Sequence, residues 1–493
     1  MNIERKEIAN CISGCPLGID IPNFIGDLID DDYPSALNTI WERNPFPGIT
    51  GRICTAPCEY KCIRNQLDQP VAIKQLERYI SDREFEKLDT PPWDLKKQDN
   101  KSVSIGIIGA GPAGILCAHD LLRMGYRVSI YDSLPKPGGL LAFAIPSFHL
   151  PRDILFAEIQ LVEKLGAKFI LNCTVGKDIS LTELRKRHQA VLIAIGAHKT
   201  RHSHIPGKNL VGVFNHLDFL KAFHLNKLQF PIRKSTKAIV IGGETCDSFF
   251  VARVLKRLGA EVHILFKKPK DQYDDAQIKP AYDEQVFVRF SILPTSILGV
   301  KGKICGIRCV KVEYDNEKKP KYSHPIPIQD SEFEEDCDLL CLAETRYPDI
   351  DSLGKAAQYL KTTPQNTLQV DKDSANTNIY GVFAAGEVVS GPADVITSMA
   401  QGRKSAMSIH NFINEIKPEQ VSNIESHSIT LHDLTDNIEG IYHIPRNQEK
   451  LLPADERKNN FSEVVIGFDE TKARNEAERC VCFRLNLRKK EEW

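Results

Sequence analysis

The chain has 493 residues, enough for about three domains, and its 64 basic and 65 acidic side chains nearly cancel. That balance excludes the strongly basic surface with which proteins bind nucleic acid or anionic membranes. Because no apolar run approaches the ~18 residues of a membrane span and the first residues are polar, we expect a cytoplasmic protein.

Five of the 14 cysteines lie within the first 62 residues, in a segment that we expect to be helical. A cytoplasmic chain of this length has no need of disulfides, so clustered cysteines indicate metal or redox chemistry. They form two groups beside Pro or Gly turns, a pattern typical of iron–sulfur ligation, with zinc as the alternative. These cysteines are Cys11, Cys15, Cys54, Cys58 and Cys62.

Helical patterns separate and follow these cysteines, over residues 21–41 and 70–85. In the second pattern, Glu77 comes four residues after Ile73 and projects from the edge of the apolar stripe. A carboxylate at such a position needs a partner, which would be either an arginine or an iron. A charged, Pro-containing linker at 89–101 then marks a domain boundary.

Residues 103–133 have the pattern of a dinucleotide-binding unit: an apolar strand, a GAGPAG turn, a helix, and a second strand that ends at Asp132. In the turn, Gly109 permits the sharp bend, Gly111 lets the backbone approach a pyrophosphate, and Gly114 allows close helix packing. The helix N-terminus would face the phosphates, and Asp132 would accept a hydrogen bond from a ribose hydroxyl. The sequence therefore predicts a dinucleotide site here.

Three further glycine positions fit the same site. Gly139, the second glycine of a pair, would let the backbone pass close to a flat ligand. A buried strand is predicted to end at Gly196, and another at Gly386-Glu387. The helix predicted over 394–412 would point its N-terminus back toward this nucleotide site.

A second strand–turn–helix unit spans residues 237–266, but its turn keeps only two glycines, Gly242 and Gly243. Glu244 follows them, and its carboxylate would repel a pyrophosphate unless it is turned away. A basic pair, Lys267 and Lys268, comes directly after the second strand of this unit. Such a pair favours the 2′-phosphate of NADP, with a solvated charge pair as the alternative.

Two C-x3-C pairs lie within predicted strands, and two more cysteines end the chain's last helical pattern. Residues four apart in a strand share a face, so a four-thiol metal site is conceivable, but buried cysteine is more often a small core residue. The final pattern is an amphipathic helix over 469–479. The strand pairs are Cys305 with Cys309 and Cys337 with Cys341, and the terminal pair is Cys480 and Cys482.

Several stretches together resemble the family of the small subunit of NADPH-dependent glutamate synthase. They include GCPLGIDIP, NPFPGITGRICTAPCEYKC and QPVAIKQLERYI, then GAGPAG, PGGLL and HLPRDIL, and finally GVFAAGEVVSGPADV and EAERC. The wider group includes the large subunit of the NADH-dependent ferredoxin:NADP transhydrogenase and the N-terminal half of dihydropyrimidine dehydrogenase. The resemblance covers nearly the whole chain.

The resemblance implies an α/β fold with two nested Rossmann-like domains, for FAD and NAD(P)H, of the two-dinucleotide-binding flavoprotein type. An α-helical iron–sulfur domain would precede them, and the FAD domain would be built from two segments around the NAD(P)H domain. The expected divisions are 1–95 for the iron–sulfur domain, 102–235 and 346–413 for the FAD domain, 236–345 for the NAD(P)H domain, and 414–493 for a C-terminal extension ending in a Cys-bearing helix.

By position, the resemblance implies one set of residues for FAD and one for NADPH. Leu140, Gly139 and Gly386-Glu387 would line the flavin and its ribityl chain, although relatives usually carry Asp where this chain has Glu387. The FAD set is Gly109, Gly111, Pro112, Ala113, Gly114, Asp132, Gly139, Leu140, Gly196, Gly386 and Glu387, and the NADPH set is Gly242, Gly243, Thr245, Lys267 and Lys268.

The resemblance also implies a [4Fe–4S] cluster held by Cys15, Cys54 and Cys58, with Glu77 supplying the fourth ligand. A second cluster would use Cys11 and Cys62 together with two thiols of an N-terminal C-x2-C, which this sequence lacks.

The C-terminal EAERCVC resembles the missing stretch, with a spacing one residue shorter. Our hypothesis is that Cys480 and Cys482 fold back, or reach across a homodimer, to complete the second cluster. The alternative is that the tail docks a partner subunit and the second cluster is absent.

These features imply an oxidoreductase subunit that passes electrons between NADPH and a partner protein through FAD and [4Fe–4S]. The partner would be another oxidoreductase subunit or a ferredoxin-like protein. One alternative is a glutamate synthase small subunit proper; another is a flavin–cluster relay or scaffold with a non-functional nicotinamide site. Glu244 favours the second, and so does Glu344, which with Ala343 stands where relatives carry a glycine-containing turn against the flavin. Hydride transfer to flavin needs no protein acid or base, so we name no catalytic side chain.

Overall fold

The computed structural model describes residues 9–85, 102–200, 205–243, 247–314, 324–416 and 443–484. In these ranges the chain forms a helical N-terminal domain, two parallel sheets, an antiparallel sheet, and a C-terminal extension that packs against the N-terminal domain. None of the described helices is both long enough and apolar enough to cross a bilayer.

Short helices make up the N-terminal domain. The pattern over 21–41 predicts one helix, but the structure has two, because the chain turns at Asp31, whose φ is 59°. Asp20 and Asp32 cap the two helices by accepting hydrogen bonds from the backbone N–H groups of Asn23 and Ser35. The elements are Asn10–Gly14, Ile21–Ile29, Tyr33–Trp41, Pro47–Ile53, Pro57–Tyr60, the 3₁₀ turn Ile63–Gln66, and Ile73–Phe85.

The first sheet has five parallel strands, in the order Val382–Ala384, Ala190–Ile193, Ser104–Ile108, Arg127–Tyr131 and Lys168–Ile170. The strand Val382–Ala384, which comes late in the chain, therefore joins four strands from residues 104–193. Because the strands are parallel, the turns that follow them meet at one edge. The helices around this sheet are Pro112–Arg123, Leu140–Phe143, Arg152–Lys164, Leu181–Arg187, Glu387–Ser390 and Val395–Ile413, with the 3₁₀ segment Ile350–Tyr359.

The second sheet is also parallel and has the order Val213–Asn215, Leu339–Leu342, Lys237–Gly242, Glu261–Phe266 and Phe287–Arg289. Its first strand lies before the expected domain boundary at 236. The strand belongs to this sheet because its pairing partner comes much later in the chain, a contact that no local pattern reveals. The helices of this domain are His216–His224, Asp247–Arg257 and Asp275–Asp283, with the 3₁₀ turn Lys270–Gln272.

The remaining strands form an antiparallel sheet and two small ribbons. The antiparallel sheet consists of Ile292–Val300, Lys303–Glu313, Ile326–Pro327 and Phe333–Asp336. One ribbon pairs Lys199–Thr200 with Arg346–Tyr347, where the chain returns from the second sheet to the first. In the extension, Lys450–Leu451 pairs with Val465–Gly467, and the helices are Ala454–Arg457, Glu470–Ala477 and Val481–Arg484.

One buried apolar core unites the N-terminal helices, one face of the first sheet and the end of the extension. Phe24 and Ile80 from the first domain, Ile107 from the sheet and Val481 from the extension all belong to it. The extension is thus packed as part of the N-terminal domain rather than as a separate tail.

Candidate functional site

A cleft opens at the carboxyl edge of the first sheet and encloses about 1170 Å³ when its open mouth is included. It gathers most of the residues expected to bind FAD, although they come from separate stretches of sequence. Those residues are Gly109, Gly111, Pro112, Ala113, Asp132, Gly139, Leu140, Gly196, Gly386 and Glu387. Gly114 has a different role: a Cβ there would collide with the carbonyl oxygen of Gly109, so the glycine allows the helix to pack on the turn.

The glycines leave space where a bound pyrophosphate needs it. Gly109 has φ of 108°, and a Cβ on it would collide with the carbonyl oxygen of Ala194. A Cβ on Gly111 would meet no described atom within 4 Å, whereas one on Gly139, whose φ is 55°, would come within 3.0 Å of the Gly111 Cα, so the two turns approach each other closely. The N-terminus of the helix Pro112–Arg123 opens into the same space, so its backbone N–H groups fit the phosphates of a dinucleotide.

Asp132 stands at this edge with its carboxylate held by the backbone. Oδ2 accepts a hydrogen bond of 2.7 Å from the N–H of Ala110, and Oδ1 accepts one of 2.8 Å from the N–H of Leu134. Burial raises the pKa of Asp132, while these two hydrogen bonds lower it. A carboxylate can accept more than one hydrogen bond per oxygen, so the predicted ribose contact fits this geometry.

Glu387, at the other side of the cleft, is paired with Arg346, which no sequence pattern identifies as a site residue. Its Oε2 accepts a 3.0 Å hydrogen bond from Nη1 of Arg346, and its Oε1 accepts one of 3.1 Å from the N–H of Ala393. Burial raises the pKa of Glu387, and the charge of Arg346 lowers it. Nε of Arg346 also lies 3.5 Å from Oδ2 of Asp247, so this arginine links the two nucleotide domains.

The iron–sulfur domain forms part of the wall of the same cleft. Ile53 and Thr55, the two neighbours of Cys54 in the chain, both line it. The hydroxyl of Thr55 donates a 3.1 Å hydrogen bond to Oδ2 of Asp394, at the N-terminus of the helix Val395–Ile413. No sequence pattern predicts this contact, because only the cysteines mark the segment.

Glu77 is buried beside the first group of thiols, where its partners are Asn44 and Thr50 rather than an arginine. Nδ2 of Asn44 donates a 2.8 Å hydrogen bond to Oε1, and the Thr50 hydroxyl donates to the same oxygen. The described residues supply no hydrogen bond to Oε2. Burial raises the pKa of Glu77 to about 7. The second oxygen is thus available to a metal, as the expected ligand role requires.

The thiols near Glu77 are those expected for the first cluster: Cys15, Cys54 and Cys58. Burial is the largest cause that raises the pKa of each thiol, to about 12 for Cys54, and the charge of Glu77 raises all three further. All four groups therefore lie within electrostatic reach of one another. Buried thiols of this kind become stable as thiolates when they bind iron.

The second group brings together cysteines from the two ends of the chain. Cys11, Cys62, Cys480 and Cys482 line one small cavity. Burial raises the pKa of the Cys11 thiol, and the charges of Cys482, Cys480 and Cys62 raise it further. Among the described residues, no three His, Cys, Asp or Glu side chains are gathered closely enough to hold a single metal ion. The four thiols of this second group instead lie around the cavity that they line.

At the second sheet, the residues expected to bind NADPH lie at one edge. Gly242 is in register with Phe266, so Lys267 and Lys268 follow directly beside the Gly242-Gly243 turn. Both glycines are required by packing, because a Cβ on Gly242 would collide with the Phe266 ring and one on Gly243 with the Ala343 carbonyl oxygen. Thr245 and Glu244 lie outside the described residues.

Of the four cysteines in the two C-x3-C pairs, three are buried, as small core residues would be, and one is not. Cys309, Cys337 and Cys341 are buried, whereas Cys305 is exposed. None of the 13 described cysteines forms a disulfide.

Two family models match the chain. Residues 6–88 match "Dihydropyrimidine dehydrogenase domain II, 4Fe-4S cluster", and residues 103–402 match "Pyridine nucleotide-disulphide oxidoreductase". The first match decides between the two metals that the cysteine spacing left open, in favour of iron–sulfur.

Several curated proteins are similar over most of this chain. The NADP(+)-dependent formate dehydrogenase subunit beta of Moorella thermoacetica is 32% identical over a gapped alignment of 508 positions, which covers 97% of this chain and 71% of that protein. The NADPH-Fe(3+) oxidoreductase subunit beta of Geobacter sulfurreducens is 31% identical over a gapped alignment of 530 positions, which covers 99% of this chain and 77% of that protein. The glutamate synthase [NADPH] small chain of Azospirillum brasilense is 30% identical over 420 residues, 82% of this chain and 86% of that protein.

Solved structures share the fold of the two nucleotide domains. FprA of Mycobacterium tuberculosis in complex with NADPH superposes with a TM-score of 0.53 at 19% identity, over 64% of this chain and 85% of that chain. Thioredoxin reductase of T. acidophilum gives a TM-score of 0.50 at 19% identity, over 64% of this chain and 98% of that chain. At these identities the likeness shows the fold alone.

Proposed function

Because the chain belongs to the pyridine nucleotide-disulphide oxidoreductase family and carries a [4Fe–4S] domain before it, we propose that it is an electron-transfer subunit. It is an NADPH-dependent flavoprotein oxidoreductase that passes electrons between NADPH and a partner protein. FAD occupies the cleft of the first sheet, and the first cluster is held by Cys15, Cys54, Cys58 and Glu77.

One observation carries this proposal: the cleft for FAD and the first thiol group share a wall. Ile53 and Thr55 line the cleft, and Cys54 lies between them in the chain. The hydrogen bond from Thr55 to Asp394 ties that wall to the FAD domain. A metal bound by Cys54 therefore lies beside the cleft, where electrons have a short path.

When bound, FAD supplies hydride chemistry with NADPH and the iron–sulfur cluster supplies one-electron chemistry. The chain's own residues hold and orient these groups. The glycine turn and the helix N-terminus at Pro112 receive the pyrophosphate, and Asp132 receives the ribose. The buried pair of Arg346 and Glu387 sets the charge at the ribityl end of the cleft. No side chain is required to move a proton.

NADPH would bind at the edge of the second sheet, with Lys267 and Lys268 contacting its 2′-phosphate. The supporting observation is the register of Gly242 with Phe266, which sets the lysines beside the glycine turn. Phe250, on the first helix after that turn, lines the cleft of the first sheet, which supports an approach of the nicotinamide from this side.

The partner that we propose is another oxidoreductase subunit or a ferredoxin-like protein. Two relatives that span 97% and 99% of this chain are named as beta subunits, whereas the Azospirillum glutamate synthase small chain spans 82%. The wider coverage favours a general electron-transfer subunit over a glutamate synthase subunit. A cytoplasmic location is part of this proposal, because thiolates that hold clusters need a reducing compartment.

Anaerobic stopped-flow mixing with NADPH and with NADH tests this function. The full-length protein, loaded with FAD and iron, should lose its flavin absorbance on mixing with NADPH, and more slowly with NADH. A protein that binds FAD but is bleached by neither nucleotide would instead be a relay or scaffold with a non-functional nicotinamide site.

A further inference from the structure

The cavity between the N-terminal and C-terminal segments is lined by cysteines and by mostly apolar side chains. Four of its residues are the cysteines Cys11, Cys62, Cys480 and Cys482, all in or packed against one core. Most of the others are apolar. They are Ile21, Ile25, Ile63, Val71, Ile73 and Val481, with Asn10 and Arg64.

These thiols come from three separate segments. Cys11 lies in the helix Asn10–Gly14, Cys62 immediately precedes a 3₁₀ turn, and Cys480 and Cys482 flank the start of the last helix. Core cysteines that act only as small apolar residues, such as Cys117, have no reason to converge from distant parts of the chain. Convergence of thiols around one volume is the arrangement that iron–sulfur clusters use.

A network of buried charges fixes the last segment in this position. The Arg479 side chain is fully buried, and its Nη1 donates a 2.6 Å hydrogen bond to Oε1 of Glu476. That same oxygen accepts a 2.8 Å hydrogen bond from the N–H of Ala72 in the first domain. Nη2 of Arg479 donates to the carbonyl of Gln69 at 2.7 Å.

A hydrogen bond donated by the first domain to the extension adds to this network. Nη1 of Arg64, a wall residue of the cavity, donates a 3.0 Å hydrogen bond to the carbonyl oxygen of Arg479, the residue just before Cys480. Because breaking a buried charge network from one side leaves the remaining charge buried without compensation, Cys480 is held against the first domain rather than docked there loosely.

From this geometry we propose that Cys11, Cys62, Cys480 and Cys482 of one chain together hold a second [4Fe–4S] cluster. This inference rests on the proposed function, which requires only the first cluster. Each thiol would release one proton to solvent as its sulfur binds one iron of a preformed cluster and displaces the ligand which that iron carried, and no oxidation state changes. The C-terminal extension is then part of the electron-transfer machinery and not an added tail.

Iron and sulfide analysis of the full-length protein after anaerobic reconstitution tests the proposal. The wild type should contain about eight iron atoms per chain, four for each cluster. The double variant Cys480→Ser/Cys482→Ser should lose half of this iron and keep its FAD. The matched control Cys117→Ser, buried in the same core but away from the cavity, should keep all of it. Full iron in the double variant would overturn the proposal, whereas absence of iron and FAD from the wild type would overturn the proposed function itself.

A second measurement does not depend on how the variants fold. Alkylation of the wild type, followed by peptide mass spectrometry, should label Cys480 and Cys482 only after the iron has been removed with chelator and oxidant. Equal labelling before and after removal would contradict ligation by these thiols.

Mixing two variants separates ligation within one chain from ligation across a homodimer. Cys11→Ser/Cys62→Ser and Cys480→Ser/Cys482→Ser each lack half of the proposed site. If one chain supplies all four thiols, reconstitution of the mixture restores no second cluster. Restored iron would show that the two halves come from different chains and would overturn the single-chain assignment.

Discussion

The substitution Glu284→Gln is expected to destabilise the domain built on the second sheet. Glu284 is fully buried and receives three hydrogen bonds of 2.6 to 3.1 Å from Arg253. Arg257 donates to both of its oxygens, and Nε of Arg457, from the C-terminal extension, lies 3.5 Å from Oε1. A glutamine would leave these guanidinium groups around a neutral amide.

Removing one partner of a buried ion pair costs about 3–5 kcal/mol, because the other charge stays buried without compensation. In a domain of this size each kcal/mol shifts Tm by roughly 3 °C, so the variant should melt about 10 °C or more below the wild type at pH 7. Differential scanning calorimetry measures the shift. Glu334→Gln is the matched control, since its partner Arg308 is exposed and solvated, and loss of this ion pair should leave Tm almost unchanged.

The effect should depend on pH. Burial alone would raise the pKa of Glu284, but the hydrogen bonds from Arg253 and Arg257 lower it below 4.5. A carboxyl group whose folded pKa is lowered stabilises the protein fully above its unfolded pKa and loses that contribution as the pH falls toward the folded value. Glutamine does not titrate, so the difference in Tm between wild type and variant should narrow below about pH 4.5. A difference under 3 °C at pH 7, or one that widens in acid, would refute this reasoning.

Three further substitutions test the cofactor sites. Gly111→Leu should lower FAD content at least tenfold with unchanged circular dichroism, because a Cβ there meets no described atom and the side chain would occupy the cofactor's space; normal flavin absorbance would contradict the assignment. Lys267→Ala/Lys268→Ala should raise KM for NADPH about tenfold or more and leave KM for NADH unchanged, since each charge-assisted hydrogen bond contributes about 1.5–3 kcal/mol; equal effects on both nucleotides would argue against 2′-phosphate contacts. Cys54→Ala should abolish NADPH-dependent reduction of a ferredoxin while flavin bleaching persists, and undiminished ferredoxin reduction would rule out the path through Cys54.

Local patterns were sufficient to predict the nucleotide turns. The second strand of the unit, which is predicted to end at Asp132, spans Arg127–Tyr131 in the structure, and the GAGPAG turn lies where the strand–turn–helix pattern predicts it. Each of these features depends on residues that are close in sequence, so the chain's own periodicity is enough.

Contacts between distant segments were harder to predict. Nothing near Val213 indicates its pairing with Leu340, and nothing near Arg346 indicates that its guanidinium reaches Glu387, 41 residues later in the chain. Only a resemblance of motifs suggested that Cys480 and Cys482 converge on the first domain, and the alternative was that the tail docks a partner subunit. Such contacts are decided by tertiary packing, which no local sequence pattern encodes.

Rapid mixing of the reconstituted protein with NADPH under anaerobic conditions, followed by freeze-quench EPR, tests the central claim most directly. We expect the flavin absorbance to fall first and the EPR signal of a reduced [4Fe–4S] cluster to follow, because Cys54 lies between two residues of the FAD cleft. If the flavin is bleached but no cluster signal follows, in a sample whose clusters dithionite does reduce, then electrons do not pass from the flavin to the cluster.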